Sequence, residues 1–268
     1  MAAIKEGLDK LGHTILEHND KADMAVICST LWLGKMFPNK AIYHMYRKSD
    51  RDVLIYDAGA LIRGQTWRLG LNAVNAEGYF GPIGNDMARR NLLGVELTPW
   101  QKRAGPLVIC AQQPRSHHWR DMPGVPLWCT RIIETAKKHN WKRIIVRPHP
   151  RSGIVHSDIR ATGARIEFAK KTGEDTFDFE KVLESAAAIV SYSSNPGIIA
   201  AIKGVPIFVG NRSLAYPVRN GELDTLILKN YLDREQWFND FVYTEWLEEE
   251  FKTGAPMARL LNSNTEEV

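Results

Sequence analysis

Short apolar runs alternate with amphipathic stretches along the first part of the chain. Residues 24–28 and 52–57 are nearly continuous apolar runs, which predicts buried strands. Apolar residues at helical spacing predict one helix that ends at Gly12 and another over 39–47. Strands that alternate with helices favour an α/β fold with a mostly parallel sheet.

The alternation stops over residues 63–100, where Gly, Asn and aromatic residues predict irregular, site-forming loops. It then resumes, with strands predicted at 107–111, 143–147, 188–191 and 205–209 and helices at 125–140, 177–185, 196–203 and 233–251. Two such series imply two Rossmann-like domains, 1–105 and 106–230, of which the first is abbreviated. Residues 231–268 are expected to be helices that pack back toward the first domain. A ligand cleft is expected between the two domains.

The composition is that of a water-soluble globular protein. Of 268 residues, 44% are hydrophobic and 25% are charged, and no apolar run approaches the ~20 residues of a membrane helix. The amino terminus has no apolar stretch like that of a secretory signal, and the three cysteines form no Cys-x-x-Cys pair. We therefore expect a reduced, cytoplasmic protein with no membrane contact, no structural metal and no obligate protein partner.

The charges are unevenly distributed along the chain. Residues 101–170 contain 14 Lys/Arg and four Asp/Glu, whereas residues 221–268 contain four Lys/Arg and 11 Asp/Glu. A basic centre suits a ligand that carries phosphates, although two ordinary solvated faces would give the same counts.

Two polar motifs follow predicted parallel strands. The sequence Arg147-Pro-His149-Pro follows one strand, and Ser193-Ser194-Asn195 leads from another directly into a helix. Hydroxyl groups and the free N–H groups of a helix start form a site for an anion such as a diphosphate. The other residues expected to contact the anion or its nucleoside are Gln112, Arg115 and Arg151. A plain helix cap for the serines and a proline-framed turn for the histidine are the structural alternatives.

These motifs, together with Ala200-Ala-Ile-Lys-Gly-Val-Pro206, resemble the nucleotide-sugar-binding half of GT-B-fold glycosyltransferases with a His-Pro and a Ser motif, such as sialyl- and Kdo-type enzymes. The resemblance covers residues 106–210. It implies that His149, Ser193 and Ser194 contact the donor nucleotide and its phosphates. It further implies a nucleotide-sugar co-substrate, with a UDP-sugar favoured. From the residues themselves we expect no obligatory cofactor or metal. A GT-B first domain opens with a strand, whereas this chain opens with a helix.

An inverting sugar transfer requires a base that deprotonates the acceptor hydroxyl. Asp57, at the end of a predicted strand, is the first candidate for this base, and Glu77 and Asp86 are alternatives. Each carboxylate could instead cap a helix or pair with an arginine. A retaining mechanism would not require the base at this place.

Four segments, Tyr56-Asp-Ala-Gly59, Arg63-Gly64, Trp67–Asn72 and Tyr243-Thr-Glu-Trp246, resemble bacteriophage glycosyltransferases, and this looser similarity covers nearly the whole chain. Some phage enzymes of this fold glucosylate hydroxymethylated DNA bases. The segment around Trp67 is the part expected to meet the acceptor. Its basic and aromatic residues suit phosphate contact and base stacking. The candidate acceptor-binding residues are Arg63, Trp67, Arg68 and Asn72. The resemblance implies double-stranded DNA with 5-hydroxymethylpyrimidine as the acceptor, in the cytoplasm of a phage host. A core tryptophan with surface arginines is the structural alternative, and a glycan acceptor, a nucleotide-sugar 2-epimerase and a non-catalytic DNA-binding protein are the functional ones.

Overall fold

The computed structural model describes residues 1–17, 19–152, 157–173 and 176–262. Its contacts divide the chain into two compact units. The first unit contains residues 1–95 and 239–268, and the second contains residues 96–238. The chain passes from the first unit to the second after Val95, where the sequence placed the boundary at 105, and returns to the first unit after Phe238, where the sequence placed it at 230.

The second unit is built on a five-stranded sheet in which every neighbouring pair is parallel. Its strands are β4 (Leu107–Cys110), β5 (Ile144–Arg147), β6 (Arg165–Ile166), β9 (Ala188–Ser191) and β10 (Ile207–Val209). Their order in the sheet is β10-β9-β4-β5-β6, which is the strand order of a Rossmann-type half. The order reverses between β4 and β9, and ligands of such sheets bind at the carboxyl ends of the strands at this point.

Helices and a small hairpin complete the second unit. The helices are α4 (Val125–Lys138), α5 (Ser157–Ala161), α6 (Phe179–Ser185) and α7 (Asn195–Ile202), and the hairpin is β7 (Lys171–Gly173) with β8 (Thr176–Phe177). Short 3-10 turns lie at His117–Trp119 and Tyr216–Val218. The core is formed by the apolar strand residues and the buried face of α4, as the runs of apolar residues predicted.

The first unit contains a four-stranded sheet of mixed direction. Its strands are β1 (Ala25–Cys28), β2 (Val53–Ala58), β3 (Thr66–Leu71) and β11 (Glu245–Leu247), in this order across the sheet. Only β1 and β2 are parallel, and α2 (Asn39–Lys48) connects them. The other elements are α1 (Ala2–Lys10), α3 (Ala88–Leu93), α9 (Glu248–Thr253), α10 (Ala255–Leu261) and a 3-10 turn at Gly34–Met36. The α/β class is thus confirmed, with a first unit that keeps a single strand–helix–strand element.

Two strands lie where the sequence predicted other structure. The segment 63–100 contains β3, and the segment 233–251 contains β11 between α8 (Glu235–Val242) and α9. The alternation of apolar and polar residues in β3 could not be recognised, because the charged residue Arg68 occupies a buried position. Its charge is paired there with Glu245 of β11. Of the helices in the described part of the chain, none is both long and apolar enough to cross a membrane.

Candidate functional site

Three of the predicted donor-binding residues follow aligned positions of neighbouring strands. In the second unit, Cys110 of β4 lies between Arg147 of β5 and Ser191 of β9 in the sheet register. Gln112, His149 and Ser193 each stand two residues beyond this row. Since neighbouring strands are about 4.8 Å apart, the sheet brings the three residues to one edge, at the point where the strand order reverses.

Two buried polar atoms at this edge have no hydrogen-bond partner among the described residues. They are Oε1 of Gln112 and Oγ of Ser193, and each residue is 5% exposed. A buried polar group without a partner costs about 1–3 kcal/mol of folding stability. Buried polar atoms are paired in most native structures, so these two, which follow adjacent strands, are candidates for contact with a ligand. Four other buried side-chain atoms of the described residues are also unpaired, namely Arg68 Nε and the hydroxyls of Thr130, Thr225 and Thr244.

Helix α7 begins at the same edge. Its N-cap residue, Ser194, makes no side-chain hydrogen bond to the helix amides. Its hydroxyl instead lies 2.9 Å from the hydroxyl of Ser191. The plain helix cap that the sequence allowed for the serines is therefore not formed by Ser194. The first turn also packs tightly on the sheet, because a Cβ on Gly197 would lie 2.7 Å from Cγ1 of Val209. The start of α7 is held in place while its amide groups keep no side-chain cap.

The loop after β4 packs beside the serine segment. Trp119 lies edge-on against Tyr192, with ring centroids 5.4 Å apart. Within this loop, Oε1 of Gln113 accepts a hydrogen bond from the Arg115 amide at 2.9 Å, and the Arg115 side chain is exposed. The sequence did not single out Gln113, although its position beside Gln112 after a strand was a usable signal.

Arg147 is committed to a partner that the sequence analysis missed. Its guanidinium donates to Asp178 at 2.6 Å, and the two side chains are 7% and 14% exposed. Burial opposes ionisation of Asp178, but the Lys170 amide and Arg147 donate hydrogen bonds that together lower the pKa of this carboxyl. The cation predicted to meet a diphosphate therefore already has a carboxylate at its side.

His149 forms the proline-framed turn that was its structural alternative. Its Nδ1 accepts a hydrogen bond from the Arg151 amide at 3.1 Å, and its carbonyl accepts from the Ser152 amide at 2.9 Å. An accepting Nδ1 leaves the ring proton on Nε2. The ring is half-buried and the Arg151 side chain is exposed. Asn195 is the first residue of α7 and is partly exposed.

In the first unit, Asp57 lies at the carboxyl end of the parallel pair of strands. Its Oδ2 accepts a hydrogen bond from the hydroxyl of Ser29 at 2.9 Å, directly after β1. The neighbouring pair Cys28 and Tyr56 shares a side-chain hydrogen bond, and burial raises the pKa of both groups. Asp57 is partly exposed, so a carboxylate oriented by a hydroxyl faces this edge of the first sheet.

The other two candidate bases make local contacts. Glu77 is exposed, and its Oε2 accepts from the Asn75 side chain at 3.1 Å within a turn. Asp86 is also exposed, and its Oδ1 accepts from the Ala88 amide at 2.9 Å just before α3, whose N-cap position is Met87. Among the three carboxylates, Asp57 is the one at a strand end.

Arg68 is the centre of a buried ion pair. It is 5% exposed and donates to the carboxylate of Glu245, which is 0% exposed, at 2.6 Å. Glu245 also accepts from the amides of Ala60 and Leu61 at 2.8 Å. Gly59 has no space for a side chain, because its Cβ would lie 2.4 Å from Oε2 of Glu245. The carboxylate thus holds the loop that follows Asp57, and Arg68 has the structural role of balancing its charge.

The remaining predicted acceptor residues are spread over the first unit. Arg63 is exposed and donates to the Gly59 carbonyl at 3.3 Å. Trp67 packs against Tyr56, with ring centroids 6.2 Å apart. Asn72 lies beside the amino end of β2, where it accepts from the Val53 amide at 2.9 Å. The contact of Trp67 agrees with the structural alternative, in which this tryptophan packs against the core.

No group of three or more His, Cys, Asp or Glu side chains that could hold a metal ion occurs among the described residues. His117 lies in the 3-10 turn after β4 and is 9% exposed. An Asp-x-Asp sequence at 50–52 precedes β2, and there Asp52 pairs with Arg47 at 3.3 Å.

No protein-family model matches the chain, and no curated protein matches it. Two solved structures with a similar fold come from Thermosulfurimonas dismutans KpsC. One is described as a beta Kdo 2,7 transferase, at 13% identity and a TM-score of 0.47, covering 95% of this chain and 88% of that one. The other is described as a beta Kdo 2,4 transferase, at 9% identity and a TM-score of 0.49, covering 91% and 86%. Both scores lie below 0.5, so the fold assignment given above depends on the strand order of the chain itself.

Proposed function

We propose that the carboxyl edge of the second sheet binds the diphosphate of a nucleotide sugar and that the protein is a glycosyltransferase. The observation that carries the proposal is the pair of unpartnered buried atoms, Gln112 Oε1 and Ser193 Oγ, at the reversal point of a Rossmann-type sheet. Phosphate oxygens accept hydrogen bonds from hydroxyl groups such as that of Ser193, whereas Gln112 Oε1 is itself an acceptor and requires a donor on the nucleoside.

The diphosphate is the leaving group of the transfer, and the negative charge that develops on it must be stabilised. The start of α7 contributes a partial positive charge, and the Ser193 hydroxyl contributes a donor. Pro196 has no N–H, and the Gly197 N–H already donates to the Ser194 carbonyl at 3.1 Å. Arg147 contributes less to this stabilisation, because the carboxylate of Asp178 neutralises its charge. The exposed side chains of Arg115 and Arg151 are the cations that the loops after β4 and β5 offer.

Gln112 is the candidate for contact with the nucleoside. A glutamine amide carries one acceptor and two donors, so it can pair with a sugar hydroxyl or with the edge of a base. Its burial at 5% exposure excludes water from that contact. Gln112 should therefore influence which nucleoside diphosphate binds most tightly, and UDP is the first to be tested.

The acceptor hydroxyl requires a base, and Asp57 is the carboxylate that we assign to this role. The hydroxyl of Ser29 donates to Oδ2 of Asp57 at 2.9 Å, which fixes the orientation of the carboxylate. In an inverting transfer it would take the proton from the acceptor oxygen as that oxygen attacks the anomeric carbon and the nucleoside diphosphate departs. Asp57→Asn should abolish transfer while nucleotide binding stays unchanged.

The test is a panel of nucleotide sugars incubated with the protein and an acceptor, with products identified by mass spectrometry. DNA with 5-hydroxymethylpyrimidine is the acceptor predicted from the sequence, and an oligosaccharide is the second. Transfer of a sugar to either acceptor supports the proposal. Conversion of a nucleotide sugar without any acceptor would indicate an epimerase and would contradict it. Absence of binding to every nucleoside diphosphate would remove the proposed site.

A further inference from the structure

The opposite edge of the second sheet collects basic side chains. In a parallel sheet, the connections that lead into the strands all reach the same edge, at the amino ends of the strands. Eight basic residues lie at the ends of α4 and α7, in the loops directly before β4 and β5, and at the first position of β6, and we call them the cationic edge: Lys102, Arg103, Lys137, Lys138, Lys142, Arg143, Arg165 and Lys203.

Most of this charge faces solvent. All eight side chains except that of Arg103 are exposed. Four of the eight are engaged within the chain: Lys102 lies over the Tyr231 ring, Arg103 donates to the Leu183 carbonyl, Lys137 donates to the Thr162 carbonyl, and Arg165 pairs with Glu167. Lys138, Lys142 and Arg143 are in the last turn of α4 and directly before β5, and the sequence from 135 to 157 contains no Asp or Glu.

Acidic groups near this edge offset only part of the charge. Glu96 lies in the same connection as Lys102, and Glu134 lies one turn before Lys138 in α4; both are exposed. Glu184 lies in the last turn of α6, and Glu222 and Asp224 lie in the segment that follows the last 3-10 turn of this unit. Glu222 already pairs with Arg219 at 2.5 Å. The connections next to β5 therefore keep a concentrated positive charge.

We propose that the cationic edge docks the phosphate backbone of double-stranded nucleic acid. It extends over the five strands of the sheet, a width of roughly 19 Å at about 4.8 Å per strand spacing. A duplex presents one negative charge per roughly 1.7 Å of its axis, so an edge of this width can neutralise several phosphates at once. The carboxyl edge, where we place the diphosphate, is at the other end of the same strands, so the two sites do not overlap.

The side chains at this edge favour a duplex over a membrane or a single strand. None of the exposed large hydrophobic side chains in the described part of the chain lies in the last turns of α4 and α7 or in the loops directly before β4, β5 and β10; Leu127 is exposed, but it lies in the first turn of α4. Stable membrane anchoring needs an apolar or lipid signal besides the charges, and single strands need exposed aromatic rings for stacking. The indoles of Trp100 and Trp141, in the connections into β4 and β5, are half-buried and already have partners. Trp100 packs against Tyr231 and donates to the Leu232 carbonyl, and Trp141 packs against Phe208 and donates to the Leu226 carbonyl. Charge alone is sufficient for binding to a duplex backbone.

The experiment measures binding of a fluorescein-labelled 20-base-pair duplex of unmodified DNA by anisotropy, over a series of KCl concentrations. The test variant combines Lys138→Gln, Lys142→Gln and Arg143→Gln. The control combines Lys35→Gln, Lys40→Gln and Lys48→Gln, three exposed lysines of the first unit, and has the same net charge. Circular dichroism and UDP binding establish that both variants are folded.

We expect the control to bind like the wild type. The test variant should bind at least 10-fold more weakly at low salt, and its log–log salt dependence should be flatter by about 2.7, at about 0.9 for each lost phosphate contact. Equal losses in both variants would overturn the proposal, because net charge alone would then explain the binding. Stronger binding to vesicles with acidic phospholipid than to the duplex, lost in the test variant, would also overturn it. UDP affinity is read separately, so failure here leaves the proposed function untouched.

Discussion

Ser193 is the side chain whose removal best separates a ligand-binding role from a structural one. Its hydroxyl is buried and has no partner among the described residues, so Ser193→Ala removes no hydrogen bond that the structure describes. The neighbouring Ser191 is equally buried, but its hydroxyl contacts the hydroxyl of Ser194 at 2.9 Å. The same substitution at the two positions should therefore have opposite effects on stability and on binding.

The magnitudes follow from these contacts. Ser193→Ala should leave the free energy of unfolding unchanged or raise it by up to about 1 kcal/mol, because an unsatisfied buried hydroxyl is lost. A hydrogen bond to a charged phosphate contributes about 1.5–3 kcal/mol, so the dissociation constant for a nucleoside diphosphate should rise about 10- to 150-fold. Ser191→Ala should instead lower the free energy of unfolding by about 1 kcal/mol and change the affinity less than about twofold.

The assay combines calorimetric titration with UDP and other nucleoside diphosphates and urea denaturation of the same preparations. The double variant Ser193→Ala with Ser194→Ala is included because the second hydroxyl lies at the same helix start. Its affinity should be weakened at least 10-fold. The reasoning is refuted if Ser193→Ala keeps wild-type affinity for every nucleotide that binds, or if it destabilises the fold as much as Ser191→Ala does.

Three further outcomes are expected. Arg68→Met should lower the free energy of unfolding by about 3–5 kcal/mol, because it leaves a buried carboxylate unpaired, whereas Arg63→Ala should change it by less than about 0.5 kcal/mol. Urea denaturation measures both changes, and equal effects of the two substitutions would contradict the buried ion pair. Asp178 has a lowered pKa in the folded state, so its contribution to stability is present above the unfolded pKa of about 4 and is lost as the pH falls through the folded pKa. The stability difference between wild type and Asp178→Asn should therefore be largest near neutral pH and should vanish in acid, and a pH-independent difference would argue against the pairing with Arg147. His149→Ala should lose most transfer activity with little change in melting temperature, because His149 follows β5 at the same edge as Gln112 and Ser193. A variant that unfolds would show that the hydrogen bond from the Arg151 amide, within the turn, is the main role of this histidine.

The second unit could be predicted closely from the sequence because its strands are short, apolar and buried on both faces. The runs at 107–111, 143–147, 188–191 and 205–209 contain β4, β5, β9 and β10. A buried parallel strand cannot carry polar side chains without partners, so its apolar run is a strong local signal. The edge strand β6 has no such run, and a strand was not predicted there.

The first unit was harder to predict because its sheet depends on a contact distant in sequence. Arg68 and Gly70 interrupt the apolar pattern of β3, and Arg68 is compatible with a buried position only through Glu245 of β11. Neither strand is recognisable without the other. The acceptor residues inferred around Trp67 were affected in the same way, since Arg68 was interpreted as a surface cation.

At the candidate site, the sequence predicted which residues gather but not how they are paired. Strand order and register bring Gln112, His149 and Ser193 to one edge, because each of them follows one of three neighbouring strands by the same number of residues. The partner of Arg147 was not predictable, because Asp178 lies outside both motifs, just before α6. The missing cap hydrogen bond at α7 also depends on a side-chain rotamer that no sequence pattern specifies.

The central claim is that a nucleoside diphosphate binds at the carboxyl edge of the second sheet, and hydrogen–deuterium exchange with and without saturating UDP tests it most directly. We predict slower exchange in peptides that cover residues 111–116 and 192–198, with the effect lost in Ser193→Ala. Saturable UDP binding with slower exchange only in residues 1–95 would contradict the claim.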